Sequence, residues 1–319
     1  MMQGNKPQHH RTEAATTPLD LEAYRSVIHL DEPFEPPPPD SIDEAERTEF
    51  VDALLAYLQA EPHSLKFHGS PSSYGEKRRL LRAMLTVRQP DPLPNGFHHQ
   101  FDQLLQREVY EQGLTDAAKL VRVAQGWPQS TYKAASQFVL WRGDITRLIV
   151  DAIVNAANAQ LLGCFQPFHA CIDNAIHSVA GPRLREDCQT IMQRQGGLEG
   201  TGWAKVTRAY NLPAKYVLHT VGPIIPPGSQ RVLPEQEQQL AACYRSCLEL
   251  ARRVPAIRSV AFCCISTGVF GFPQVPAARI ALSTVADWLA SHPDALDLVV
   301  FNVFRSDDEE IYQTVLRGI

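Results

Sequence analysis

From residue 137 onward, short apolar runs alternate with amphipathic stretches, and this alternation limits the folds open to the chain. Runs within 138–145, 148–154, 203–207, 216–221, 259–266 and 296–304 read as strands. Stretches at 169–180, 182–195, 236–253, 276–290 and 308–317 read as helices; in one of them Leu240, Tyr244, Cys247 and Ala251 share a face. Gly181-Pro182 closes one helix and opens the next, because proline is tolerated at the first helical position. Alternating elements bury their apolar faces by layering helices on both sides of a sheet. The expected class is therefore α/β, three layers with a mixed central sheet.

The chain before that point reads differently. Residues 1–40 carry little pattern, and the Phe34-to-Pro39 run FEPPPP favours extended polyproline geometry, so this part is expected to be a tail or a surface strap. Residues 41–125 read as a helical accessory region with no strand signal. Its first helix has acidic residues in the opening turn and Phe50, Leu54 and Leu58 at helical spacing. A second, at 77–87, sets a basic face against Leu80, Leu81 and Met84; 97–110 and 115–124 supply two more. His98 and His99 are adjacent, point to different helix faces and read as solvated surface. The α/β domain then occupies 126–319.

Composition narrows the function classes. A 319-residue chain that is 44% hydrophobic is globular, and a net charge of −5 argues against bulk binding of nucleic acid. The opening residues hold no apolar signal region and no apolar run reaches spanning length, so the expected location is intracellular, in the cytoplasm. All seven cysteines follow residue 160; in a reducing compartment they read as thiols or ligands rather than a disulfide framework.

The densest chemistry lies at 141–182. Cys164, His169 and Cys171 are spaced C-x4-H-x-C. Thiolate and imidazole suit zinc, and three ligands with an open position is the catalytic arrangement. The same residues also fit two small buried thiols and a histidine at a helix start. Asn155 and Asn158 follow an apolar run; at the carboxyl end of a strand their amides reach a ligand crevice, or they serve turn chemistry. The run Ser266, Thr267, Gly268, Val269, Phe270, Gly271 places two glycines after a strand, which lets backbone N–H groups approach an anion, or simply makes a tight turn. Phe304 ends the last strand as a candidate to stack on a base, or as core. His177, four residues after Asp173, orients that carboxylate or fills a packed layer; packing is the favoured reading. Cys188, Cys243, Cys247, Cys263 and Cys264 read as small hydrophobes.

Several of these segments together carry a resemblance. Gly143-Asp144-Ile145-Thr146, then VDAIVNAAN at 150–158, AKVTRAYNLPAKYVLHTVGP at 204–223 and ISTGVFGFP at 265–273 resemble, in order, the motifs of the macrodomain, an ADP-ribose-binding fold. The likeness covers 137–319. In the MacroD-type branch a glycine-rich loop follows the asparagines; here the loop reads GCFQPFHACID, which resembles the zinc-dependent macrodomain branch found in microbes. The resemblance implies zinc on Cys164, His169 and Cys171 beside the distal ribose. It implies Asp144 accepting from the adenine amino group, with Ile145 flanking the ring. It further implies a diphosphate cradle from Ser266 to Phe272, Asn155 and Asn158 on the ribose, and Asp173 as the aspartate that assists water. The implied activity is hydrolysis of mono-ADP-ribose from protein side chains, O-linked and serine-linked by family tendency, sometimes on a lipoyl-carrier protein beside a sirtuin-like transferase. A non-catalytic ADP-ribose reader and an O-acetyl-ADP-ribose deacetylase are the alternatives.

Overall fold

The chain is seen in a computed structural model that describes residues 15, 17–62, 71–229 and 231–318. Residues 1–14 of the expected tail thus lie outside the described residues. Three helices lead: α1 (Glu44–Ala60), α2 (Tyr74–Val87) and α3 (Asn95–Gln112). The short β1 (Thr115–Asp116) and α4 (Val123–Gly126) follow. Then come β2 (Phe138–Arg142), β3 (Leu148–Ile149), β4 (Ala152–Ala157), α5 (Ile172–Ala180) and α6 (Pro182–Gln195). The chain continues through β5 (Ala204–Arg208), β6 (Tyr216–Val221), α7 (Pro234–Arg253), β7 (Ser259–Phe262), α8 (Gln274–Ser291), β8 (Leu298–Val303) and α9 (Ser306–Leu316).

The main sheet has the order β2-β8-β7-β4-β6-β5. Neighbours are parallel except the antiparallel pair β5–β6, so the sheet is mixed as expected. Helices α5 and α6 pack together over β4 and β5, while α7, α8 and α9 form a second layer over β2, β5, β6 and β8. β8 is buried at every residue and β4 at all but one, as expected of central parallel strands covered on both faces. The five parallel strands end at one edge. The loops after Arg142, Ala157, Val221, Phe262 and Val303 therefore gather there, where open α/β sheets bind ligands.

The helical layer is ordered by local signals and then locked in place. Asp43 caps α1 by accepting from Ala45 and Glu46, and Ser73 does the same for α2 through Glu76; each cap is answered by the glutamate at N3. Val51, Leu54, Leu58, Leu81, Met84, Phe101 and Leu104 form a separate small core among α1, α2 and α3. Asp102 of α3 accepts from Arg183 and, at 2.7 Å, from Asn211 Nδ2. The buried Arg185 of α6 donates to the carbonyls of Leu85, Thr86 and Arg88, which satisfies the end of α2.

Three expectations need correction. The tail reading fails over 21–30: Leu21, Tyr24, Ile28 and Leu30 are at most 1% exposed, and the Tyr24 hydroxyl accepts from the Val206 N–H at 3.1 Å. This segment is drawn in because β5 is an edge strand that needs a cover. The stretch 115–124 is not one helix: Thr115–Asp116 pairs with Leu148–Ile149, and a 3-10 turn and the short α4 follow. His98 is buried, with Nε2 at 3.3 Å from Glu186, because its face of α3 meets α6. Among the described residues no helix is long and apolar enough to cross a membrane.

Candidate functional site

The loop between β4 and α5 brings Cys164, His169 and Cys171 together: one ligand atom from each lies within 4.8 Å of the others. Cys164 Sγ is 3.6 Å from His169 Nδ1. The loop turns on three left-handed residues, Leu161 (φ 57°), Gly163 (φ 79°) and Phe168 (φ 59°). At Gly163 no side chain fits, since a Cβ would lie 2.9 Å from the His177 ring. Cys171 is the N-cap of α5, its Sγ accepting from the Asn174 N–H at 3.4 Å, and this non-helical position lets Asp173 point elsewhere. Zinc binds sulfur at about 2.3 Å and imidazole nitrogen at about 2.0 Å, distances compatible with three donors spaced this closely. The donor set, half-exposed and soft, fits zinc with a fourth position left over.

Asp173 lies just behind. It is 5% exposed, and its Oδ1 accepts from Asn155 Nδ2 at 2.8 Å. Asn158 Nδ2 donates to the Gly163 carbonyl at 3.0 Å and lies 3.5 Å from Asp173 Oδ2, tying the loop to the carboxylate. Burial pushes Asp173 up to about 6, while the Asn155 hydrogen bond and the Arg185 charge pull the other way. Asn155 is wholly buried and its Nδ2 donates to Asp173, while its Oδ1 has no hydrogen-bond partner among the described residues. The Asn158 amide is engaged locally, with Oδ1 accepting from the Gln160 N–H at 3.0 Å, which is the turn chemistry of asparagine.

The expected nucleotide end is split in the same way. Asp144 Oδ1 accepts from Thr146 N and Oγ1, and Oδ2 accepts from no described residue, leaving it open to a donor such as an amino group. Ile145 is buried beside it, and Phe304 is 75% exposed, so the core reading of Phe304 fails. In the 266–272 loop the N–H groups of Gly268, Val269 and Phe270 donate to no described residue. Ser266 (φ 65°) and Phe272 are buried, and the Ser266 Oγ has no hydrogen-bond partner among the described residues. Gly222 is required opposite Ser266, because a Cβ there would fall 1.9 Å from its hydroxyl oxygen. Thr267 Oγ1 bonds back to the Cys264 carbonyl.

A polar network beneath Asp173 was not read from the sequence. His219 of β6 has Nδ1 at 3.2 Å from Asn155 Nδ2 and Nε2 at 3.0 Å from Thr207 Oγ1. Burial drives His219 down to about 3, so it is neutral. Cys188 Sγ lies 3.8 Å from the same Nε2. His177 is buried with neither nitrogen hydrogen-bonded, its Nε2 3.5 Å from Asp173, and burial lowers it as well. The signal that could have found the network is one polar side chain in an apolar strand, His219 within YVLHTV.

Known proteins resemble this chain in sequence and fold. The Macro domain family model matches residues 154–281. The protein-ADP-ribose hydrolase of Treponema medium is 46% identical over 265 residues, 82% of this chain and 96% of that protein. The protein-ADP-ribose hydrolase of Staphylococcus aureus strain MSSA476 is 46% identical over 268 residues, 82% of this chain and 94% of that protein. Among solved structures, the Trypanosoma brucei macrodomain in complex with ADP-ribose has a TM-score of 0.55 at 32% identity, covering 77% of this chain and 97% of that one. Likenesses of 265 residues exceed the α/β domain alone, so they run into the helical layer as well. On these grounds the chain belongs to the macrodomain family.

Proposed function

We propose that this chain is a zinc-dependent hydrolase that removes mono-ADP-ribose from modified protein side chains, with an O-glycosidic linkage to serine as its substrate bond. One observation carries the reading: a soft donor trio and a buried carboxylate are tied together, through Asn158 and the Gly163 carbonyl, at the ligand edge of the sheet. The named hydrolases of Treponema and Staphylococcus support the activity.

Cys164, His169 and Cys171 would hold the zinc, which supplies Lewis acidity at its open position. The remaining work falls to the chain's own groups. The N–H groups of Gly268, Val269 and Phe270 receive the diphosphate, as unpaired backbone donors in a tight turn do. Asp144 Oδ2 accepts from the adenine amino group. Binding at that far end positions the distal ribose, so that its anomeric carbon needs little further ordering. Asp173, fixed by Asn155, takes the proton from the attacking water; a carboxylate set by a buried hydrogen bond does not have to reorganise as it does so.

The test is release of free ADP-ribose from a serine-ADP-ribosylated peptide by protein purified without added metal and then given one equivalent of zinc. Turnover with zinc and its loss with chelator is the expected result. Tight ADP-ribose binding without turnover on any linkage would leave a reader module; turnover only on O-acetyl-ADP-ribose would leave an esterase.

A further inference from the structure

The basic face of α2 has no role in the site described so far, and it borders the metal-binding loop. A groove of about 590 Å³ runs beside that loop, lined by Arg47, Arg78, Arg79, Arg82, Glu108 and Phe168 among others. Two of its arginines are already neutralised. Arg78 makes a two-pronged pair with Glu108 at 2.6 and 2.7 Å, and Arg47 pairs with Glu111 at 3.1 Å. The other two form no ion pair among the described residues, although the Glu108 charge reaches Arg82. Arg79 is exposed and lies over the Phe168 ring, 4.5 Å from its centroid; Phe168 immediately precedes His169. Arg82 donates to Asn174 Oδ1 at 3.1 Å, and its Nε is buried without a hydrogen-bond partner. Arg82 also lines a small cavity shared with Cys164 and His177.

We infer that Arg79 and Arg82 form a docking site for the protein substrate, receiving acidic residues that flank the modified side chain. The inference rests on the hydrolase reading. The side chain carrying ADP-ribose must leave the cleft beside the 163–173 loop, and α2 is the element that borders the loop there. A guanidinium fork matches a single carboxylate in a way that a point charge does not. Glu108 and Glu111 in the groove wall, and the net charge of −5, favour discrete carboxylates over a polyanion such as RNA. The proposal also gives the helical layer a purpose: Arg185 clamps the end of α2, which fixes the arginine pair relative to the loop.

The test uses two serine-ADP-ribosylated peptides that differ only in their flanks, glutamate in one and glutamine in the other. The full-length protein should favour the acidic peptide by about 10-fold in kcat/KM at low salt, and the preference should shrink as salt rises. Arg79→Gln with Arg82→Gln should bring the ratio close to one. Arg79→Gln alone, an exposed change, should remove part of the preference even if the double variant folds poorly. Binding of the unmodified fluorescent acidic peptide, read by anisotropy, reports on the groove without turnover, so failure of hydrolysis and failure of docking are told apart. Equal rates on both peptides, an unchanged ratio in the variants, or tighter binding of a short single-stranded RNA would overturn the proposal.

Discussion

Two cysteine–histidine trios flank the start of α5: one has two cysteines and one histidine, the other two histidines and one cysteine, and they differ further in exposure and surroundings. Cys164, His169 and Cys171 sit half-exposed on one loop, where Cys164 meets His169 and Cys171 accepts from the Asn174 N–H. His177, Cys188 and His219 also place their ligand atoms within 4.8 Å, but on three separate elements and fully buried. Both His219 nitrogens have partners, and burial holds the Cys188 thiol well above its ordinary value, so it stays protonated. The comparison teaches that residue type does not make a metal site. Open lone pairs together with access to solvent do; in the buried trio His219 and Cys188 are engaged in the network that holds Asn155 and Asp173, and His177, though not hydrogen-bonded, is sealed from solvent.

The largest expected effect separates the two trios outright. Cys164→Ser with Cys171→Ser should drop zinc from about one per chain to a trace. Activity should fall by at least ~100-fold, the upper range seen when only a ligand's outer partner is lost. Cys188→Ala should keep its zinc and cost about 1 kcal/mol of stability in urea unfolding. Elemental analysis decides: two zinc ions per wild-type chain, or a loss of zinc on Cys188→Ala, would break the comparison.

A smaller effect should appear where the trios touch. Gly163 immediately precedes Cys164, adopts φ 79°, and faces the His177 ring at a distance that admits no Cβ. Gly163→Ala therefore adds roughly 1–2 kcal/mol of left-handed strain and pushes His177 into its neighbours. Zinc affinity and melting temperature should fall together. A fall in only one would show that the loop and the buried network are mechanically separate.

Much of this was legible before any coordinates, and the reasons are specific. The alternation from residue 137 marks the sheet because central parallel strands are near-continuous apolar runs, as LVVFNV of β8 shows with Asn302 its one polar residue. The loop trio is legible because its members are close in sequence. The buried trio is not, since His177, Cys188 and His219 meet only after three elements pack. Burial of the 21–30 segment was hidden for a related reason: Leu21, Tyr24 and Ile28 keep helical spacing over too short a run to mark an element, and they find their place only against the edge of β5. Asn155 lies inside β4, two residues short of the strand's end, and its tie to Asp173 follows from the packing of α5 on β4, which its sequence neighbours do not show.

The smallest effect concerns α6, which carries Cys188 toward the buried trio and Asp187 beside it. Asp187 Oδ2 accepts from the Tyr210 hydroxyl at 2.5 Å, yet burial is the dominant influence and raises the carboxyl from its ordinary 3.8 to about 6. An acid whose folded value is raised holds its proton in the native state after the unfolded chain has released it. Its contribution to stability is therefore full below about pH 4 and is lost as pH climbs through about 6. Asp187→Asn removes this dependence while keeping an oxygen to accept from Tyr210. Every other group titrates alike in the two proteins, so the difference between their unfolding free energies isolates Asp187. That difference should move in favour of the variant by roughly 1–2 kcal/mol between pH 4.5 and 7.5. The loop trio stays in place in this variant, so zinc content at pH 7.5 should not change. A pH-independent difference would mean that water reaches Asp187, and that the buried side of α6 is less sealed than the comparison of the two trios requires.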